Sequence, residues 1–406
     1  MYRPHTNCRV CGKQLTKTVY DLGVQPLAND FVVEWSECAG FAPLKVLFCE
    51  DCSLGQLSVV VRPDIIYKNY PYVTSRSQTM QEHFKLLWEA MKNELGNSPT
   101  DIIEIGSNDG LFLNHCKEMG AVNVLGIDPA ENLQPKEVPS ICGLFDEESA
   151  RRAYEEIPNP SVIIARHVFA HMDDWSGFIS DLDVMCGGDT IVMIEVPYVG
   201  DMLNGAEFDT IYHEHLSYVS FKSVQRLLEG TSFHIHNIRL FNIHGGAAVI
   251  ILRHNTFKGS AHPHAKELLE AESITLDSWE KFAEASNRKI ATLQEIVRER
   301  PEQTFCGYGA SAKSTVWINA CGFTGKQIGF IVDCTPSKQG KYSPASQIPI
   351  VPESELMAKM PDYAILFSWN FGQEIVEKNY AYVEAGGQFV IPDRTGILIE
   401  SAVKTV

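Results

Sequence analysis

Asp101-Ile102-Ile103-Glu104-Ile105-Gly106-Ser107-Asn108-Asp109-Gly110-Leu111 is the stretch on which the fold turns. Its first five residues are a short apolar run that reads as a buried strand. Gly106 and Gly110 interrupt that run, and a helical pattern starts near Leu111. Glycines at the carboxyl end of a first strand let the backbone approach a ligand closely. Asp128 follows Gly110 by 18 residues and closes the second apolar run, Asn123-Val124-Leu125-Gly126-Ile127. An acid there can take both hydroxyls of a ribose. Glu104 is unusual inside a first strand, because a buried carboxylate needs a partner, and a cationic ligand group would supply one. The spacing is E-x-G-x-x-x-G rather than the dinucleotide pattern G-x-G-x-x-G. A glycine-containing turn in an unrelated α/β protein is the competing reading.

Outward from this unit the rhythm of strand and helix continues. Ser161–Ala165 and Thr190–Ile194 are further strand candidates with helical stretches between them. A charged segment near 264–299 has helical spacing, ends at Pro301, and reads as one or two linking helices. The rhythm then restarts with strand candidates Thr304–Tyr308, Gln327–Val332, Tyr363–Phe367 and Gln388–Ile391. The expectation is an α/β protein of unequal parts: an N-terminal module to residue 65, an α/β domain over 66–263, linking helices over 264–300, and a Rossmann-like α/β domain over 301–406. At 406 residues each domain is expected to bury its own core.

Lys and Arg number 34 against 51 Asp and Glu, a net charge of −17. That argues against nucleic acid, whose phosphates need a basic surface. Residues 1–65 carry six basic and seven acidic side chains, so the N-terminal module is no exception. No apolar run approaches the roughly 20 residues of a membrane helix. Met1-Tyr2-Arg3-Pro4-His5 lacks the apolar core of an export signal. A soluble cytoplasmic protein follows by default, with a monomer as the expected state.

The 11 cysteines form an odd set without an export signal, which disfavours disulfides. Cys8, Cys11, Cys49 and Cys52 form C-x2-C-x37-C-x2-C, a spacing that suits a closed, structural tetrahedral zinc site. Four unrelated cysteines or a redox pair are the alternatives. The other seven are expected to be small buried hydrophobes.

Tyr212-His213-Glu214-His215 is the most polar aromatic cluster. In an extended segment Tyr212 and Glu214 share one face, His213 and His215 the other; in a turn Tyr212 and His215 can meet. Histidine suits proton transfer at neutral pH, and a neighbouring carboxylate can tune it. The H-E-H spacing fails the metalloprotease pattern, and a solvated loop is the alternative. His171 is a second candidate, four residues from His167. In the C-terminal part, Gly307-Tyr308-Gly309-Ala310-Ser311-Ala312-Lys313 follows a strand and opens a helix. It matches neither a dinucleotide fingerprint nor a P-loop, yet helix amides with Ser311, Lys313 and Lys338 can take phosphates. An empty relic of such a site and a dinucleotide role are the competing readings.

The glycine loop followed by a strand-end acid resembles the class I methyltransferases that use S-adenosylmethionine (SAM). Taken with the paired cysteines, the Y-H-E-H run and the second glycine loop, in that order, the chain is similar to the zinc-containing sugar C-methyltransferases throughout its length. The resemblance implies three domains enclosing SAM and a nucleotide-linked 4-keto-deoxysugar. It implies that Gly106, Ser107, Asn108 and Gly110 hold the methionine end of SAM, and that Asp128 holds its ribose. Phe145 and Asp146 would lie near the adenine, and Ala165, Arg166 and His167 near the cofactor. His215 would be the base, supported by Glu214, Tyr212 and His171. A tyrosine from the segment Tyr70-Pro71-Tyr72 would join them, with Tyr72 favoured and Tyr70 the alternative. Removal of the C-3 proton would give an enolate that attacks the methyl of SAM, while Tyr212 or Tyr72 donates to the enolate oxygen.

Overall fold

The computed structural model describes residues 1–400 apart from 35–37, 69, 72, 75–77 and 244. In the N-terminal part, β1 (Tyr2–Pro4) pairs antiparallel with β5 (Val59–Val61). Between them β2 (Thr18–Pro26), β3 (Phe41–Cys49) and β4 (Leu54–Leu57) form an antiparallel meander. The knuckle Cys8–Lys13 closes on itself, with Gly12 N donating to Cys8 O at 2.9 Å and Cys8 N to Lys13 O at 2.8 Å. Gly12 has φ +73°, a conformation that favours glycine.

The central sheet contains β6 (Asp101–Ile105), β7 (Asn123–Asp128), β8 (Ser140–Cys142), β9 (Val162–Arg166) and β10 (Ile191–Pro197). The chain then sends β11 (Ser217–Tyr218) to the N-terminal sheet, where it pairs with β4, and returns as β12 (Phe233–Phe241) and β13 (Ala247–His254). The order is β12-β13-β10-β9-β6-β7-β8, parallel except for β13, which runs antiparallel to both of its neighbours, β10 and β12. This doubly wound sheet with a terminal antiparallel hairpin is the class I methyltransferase arrangement. Both faces are buried because successive side chains alternate across the sheet. Ile102, Val124, Val162 and Met193 pack towards the helices Gln78–Leu95 and Leu111–Glu118. Ile103, Leu125, Ile163 and Val192 pack towards the helices Glu147–Glu156 and Trp175–Met185. The hairpin is absent from the sequence reading, and a register shift between Ile235 and Asn237 breaks the alternation there.

Two helices, Pro263–Ala271 and Leu276–Arg298, lead to the last sheet. It comprises β14 (Phe305–Tyr308), β15 (Ile331–Val332), β16 (Ile350–Val351), β17 (Tyr363–Leu366), β18 (Gln388–Asp393) and β19 (Gly396–Glu400), in the order β16-β15-β14-β17-β18-β19. This is the doubly wound order of a Rossmann-like domain. The strand expected over 327–332 shrinks to its last two residues. Gln327 and Ile328 instead donate to Thr324 O, forming a turn.

The expectation of independent cores needs correction. One apolar cluster runs through the N-terminal sheet (Tyr20, Phe48), the segment after β10 (Phe208), the long linking helix (Trp279, Phe282) and the C-terminal domain (Trp317). Trp279 is fully buried, against Phe48, Tyr218 and Phe282. A Cβ on Gly55 would meet its ring at 2.5 Å, so glycine lets β4 approach that closely. Of the seven scattered cysteines, Cys116, Cys306 and Cys321 are buried as expected, whereas Cys38 and Cys186 are half-buried and Cys142 and Cys334 are exposed. Among the described residues no helix is long and apolar enough to cross a membrane.

Trp279→Ala is expected to cost about 3–5 kcal/mol, the usual price of a large core cavity. Because this core is shared, urea unfolding followed separately by N-terminal and C-terminal probes should shift together. A shift of one probe alone would show that the units unfold independently.

Candidate active site and metal centre

A cavity of about 1350 Å³ opens where the carboxyl ends of the two parallel sheets face each other, with the N-terminal module forming a third wall. Its lining includes Gly106, Asn108 and Asp128 from the central domain, Asp333 and Lys338 from the C-terminal domain, and Asn29 from the N-terminal module. At Gly106 φ is +73° and a Cβ would meet Val168 at 2.0 Å, so the loop after β6 needs glycine. Asp128 ends β7, with Oδ2 accepting from Asn108 N and Oδ1 from Ala130 N, both at 2.8 Å. Burial raises its pKa, and each oxygen keeps a second lone pair for a ligand. Phe145, Arg166 and His167 also face the cavity.

Five expected cofactor contacts have other surroundings. Glu104 is wholly buried and pairs with Arg166, whose Nε and Nη2 lie 2.7 Å from Oε1. Its needed cation is therefore supplied from within the protein, while burial still lifts its pKa to about 7. Ser107 is fully buried and turned under the loop, where its Oγ would lie 2.3 Å from a Cβ on Gly126. Gly110 packs beside Pro135 and Val138 at the start of the helix Leu111–Glu118. Asp146 caps the helix Glu147–Glu156, accepting from Ser149 N at 2.9 Å. Ala165 is buried within β9. Sequence reading places these residues near the loop but cannot tell which side chains turn inward.

The C-terminal loop repeats the first one in detail. Asp333 follows β15 as Asp128 ends β7. Its Oδ2 accepts from Ala310 N and its Oδ1 from Thr335 N, both at 2.7 Å. A glutamine six residues on bonds each aspartate's own carbonyl: Gln134 to Asp128 O at 3.0 Å, and Gln339 to Asp333 O at 2.9 Å. The expected phosphate ligands are more tied down than the sequence suggests. Ser311 caps the helix Ala312–Cys321. Lys338 donates to Ala310 O at 2.7 Å. Lys313 reaches Asp209 Oδ1 and Thr210 Oγ1, each at 3.3 Å.

Residues 212–215 form a turn, with His215 N donating to Tyr212 O at 2.9 Å. The turn brings Tyr212 and His215 together, the second of the two conformations considered. His215 Nδ1 lies 2.7 Å from Thr210 O, an acceptor only, so Nδ1 carries the proton. Nε2 is left as the acceptor, 2.7 Å from the Tyr212 hydroxyl. Burial and then the facing His171 hold its pKa well below the usual imidazole value. The His171 ring lies 5.1 Å from that of His215, and burial lowers its pKa to about 3. Both imidazoles are therefore neutral at physiological pH.

The expected tuning of His215 by Glu214 is replaced by a different arrangement. The Glu214 carboxylate accepts from Asn29 Nδ2 at 2.8 and 3.0 Å and from the Tyr70 hydroxyl at 3.1 Å. Burial raises it to about 7. Tyr70 thus reaches the cluster, while the favoured Tyr72 lies outside the described residues. Sequence reading missed Asn29, 185 positions from Glu214, because only the folded chain joins them. It also missed Glu195, buried in β10, 2.5 Å from His83 Nε2 and 3.9 Å from His167 Nε2. A lone acid within Thr190–Ile194-Glu195 was the available signal.

The Sγ atoms of Cys8, Cys11, Cys49 and Cys52 all lie within 4.8 Å of one another, with Cys11 and Cys49 at 3.8 Å. Zn–S bonds of about 2.3 Å in a tetrahedron place sulfurs about 3.8 Å apart, so four thiolates on this scale fit zinc with no open position.

The chain is 31% identical over 403 residues to the C-methyltransferase NovU of Streptomyces niveus, covering 96% of both proteins. It belongs to the C-methyltransferase family. Family models match a zinc binding domain at 8–67, a methyltransferase domain at 76–238 and a C-methyltransferase C-terminal domain at 242–392. The protein is a SAM-dependent methyltransferase with a structural zinc site. Solved structures resemble it only in part. PH0226 of Pyrococcus horikoshii aligns with 48% of this chain and 97% of its own, at 11% identity and TM-score 0.36. A Synechocystis magnesium protoporphyrin IX methyltransferase aligns with 43% and 84%, at 14% identity and TM-score 0.34.

Cys8→Ser is expected to lose bound zinc, measured by atomic absorption. Because Cys8, Cys49 and Cys52 lie in the same apolar cluster as the central sheet, loss of the metal should lower the melting temperature of the whole chain. A zinc-free variant with unchanged melting would exclude this structural role.

Proposed function

We propose that the enzyme methylates C-3 of a nucleotide-linked 4-keto-deoxysugar. The observation that carries this reading is the pair Asp128 and Asp333, held identically and facing one cavity. Two strand-end acids of this kind suit two ribose-bearing ligands. SAM accounts for one, and a sugar nucleotide accounts for the other. The C-methyltransferase relative supports a carbon acceptor.

Carbon must become nucleophilic before it can be methylated, and a neighbouring keto group makes its proton acidic. SAM supplies the electrophilic methyl. His215 is neutral with its lone pair on Nε2, so it can take the C-3 proton once the Tyr212 hydroxyl turns away. That hydroxyl then donates to the C-4 oxygen, which carries the electron pair of the broken C–H bond. His171 stays neutral beside His215 and adds no competing positive charge. Glu214 holds the Tyr70 hydroxyl at the edge of the sugar site.

Incubation with SAM and a thymidine diphosphate 4-keto-6-deoxysugar should add one methyl mass. Deuterium exchange at C-3 without SAM is also expected, and its absence would favour O- or N-methylation. His215→Asn should reduce turnover by about 10²–10⁴-fold while SAM binding persists. Undiminished turnover would remove His215 as the base. Asp333→Asn should raise KM for the sugar nucleotide and leave SAM affinity unchanged, whereas Asp128→Asn should do the reverse. Equal effects on both ligands would refute two separate sites. The lowered pKa of His215 keeps the free base populated as pH falls, so the acid limb of kcat should lie below pH 6.5, the ordinary imidazole value. A limb at or above 6.5 would contradict this.

A further inference from the structure

Arg9 lies inside the first cysteine knuckle, between Cys8 and Cys11, but its guanidinium points away from the sulfurs into the protein. The side chain is 0% exposed. Nη2 donates to Asp173 Oδ1 at 3.0 Å, and Nη1 donates to Leu216 O at 3.3 Å. Asp173 stands two residues after His171, and Leu216 directly follows His215. One planar group therefore touches both segments that bear the two facing imidazoles. The backbone around it is equally constrained. Arg9 N donates to Gln56 Oε1 at 3.0 Å, and Gln56 pairs with Ser217 in the sheet. Arg3 and His5 approach the same Asp173 carboxylate from the N-terminal strand.

We propose that Arg9 is a positioning residue through which the zinc knuckle sets the separation of His171 and His215. The inference rests on the reading of His215 as the base. Its physical basis is direct. The knuckle's shape depends on four cysteines converging on one ion, and Arg9 is carried by that loop. A guanidinium is a rigid fork with fixed donor directions, so moving the loop moves both partners. Truncating it takes one donor from each segment: Asp173 keeps Arg3 and His5, and Leu216 O keeps Leu57 N at 2.9 Å, but the direct tie between the two segments is gone. Misplacement of catalytic groups by about 1 Å can cost about 10²-fold in rate. Zinc thus contributes to the chemistry without touching a reactant.

The test uses the full chain with zinc bound. Arg9→Met removes the fork at similar length. Arg9→Lys keeps one donor for Asp173. Asp173→Asn leaves the knuckle itself unaltered. Lys13→Ala, an exposed change on the same knuckle, is the control. Bound zinc, hydrogen exchange in peptides spanning 167–175 and 209–219, KM for SAM, and the pH profile of kcat are measured together. With zinc retained, Arg9→Met should speed exchange in both peptides by about tenfold. It should lower kcat by about 10²-fold while KM for SAM stays within about twofold. The acid limb of kcat should move up in pH, because a looser site returns His215 towards its ordinary value. Arg9→Lys and Asp173→Asn should fall between Arg9→Met and the control. The proposal is overturned if zinc-loaded Arg9→Met matches Lys13→Ala in exchange and kcat, or if kcat falls with the pH profile and exchange unchanged. If the unaltered enzyme turns over no keto sugar nucleotide, the substrate reading fails instead, and the exchange measurements still decide the role of Arg9.

Discussion

Asp209 is a buried carboxylate held by two indole N–H groups, Trp369 at 2.7 Å and Trp317 at 3.1 Å, with the Lys313 ammonium 3.3 Å from its other oxygen. All three donors belong to the C-terminal domain. A buried charge must be met this fully, and meeting it seals that domain against the segment leading to the turn at 212–215. Thr210 comes next, and its carbonyl fixes the proton on His215 Nδ1. The carbonyl that sets the tautomer of the proposed base thus directly follows the residue that is sealed against the C-terminal domain.

The same economy runs through the site. Charges that look like ligands in the sequence are often satisfied internally: Glu104 by Arg166, Lys338 by a carbonyl, Lys313 by Asp209. What remains open to the cavity is a smaller set, chiefly Asp128 and Asp333. In a chain with a net charge of −17, these two acids hold backbone amides and keep spare lone pairs for neutral hydroxyls rather than for cations. The acidic balance is thus compatible with an anionic substrate.

The glycine loop, the strand-end acid and the paired cysteines were legible because each is a local pattern whose spacing has a physical cause. The turn at 212–215 was half legible: the residue types were informative, while the choice between strand and turn needed the fold. The partners of Glu214 were not legible. Asn29 and Tyr70 arrive from distant parts of the chain, and no periodicity connects them to residue 214. The hairpin of β12 and β13 escaped notice because a bulge disrupts the two-residue repeat that marks a strand.

Sequence alone determined the α/β architecture, the four thiolate ligands and the acid at the end of the second strand, Asp128, since these follow from short-range spacing and from which faces must be apolar. Tertiary structure alone decided that Asp333 duplicates Asp128, that Glu214 serves Tyr70 instead of His215, and that Arg9 spans the knuckle and the histidine segments. The reason is that burial and hydrogen-bond satisfaction are settled between elements far apart in the chain, where every buried polar group has to find a partner at once.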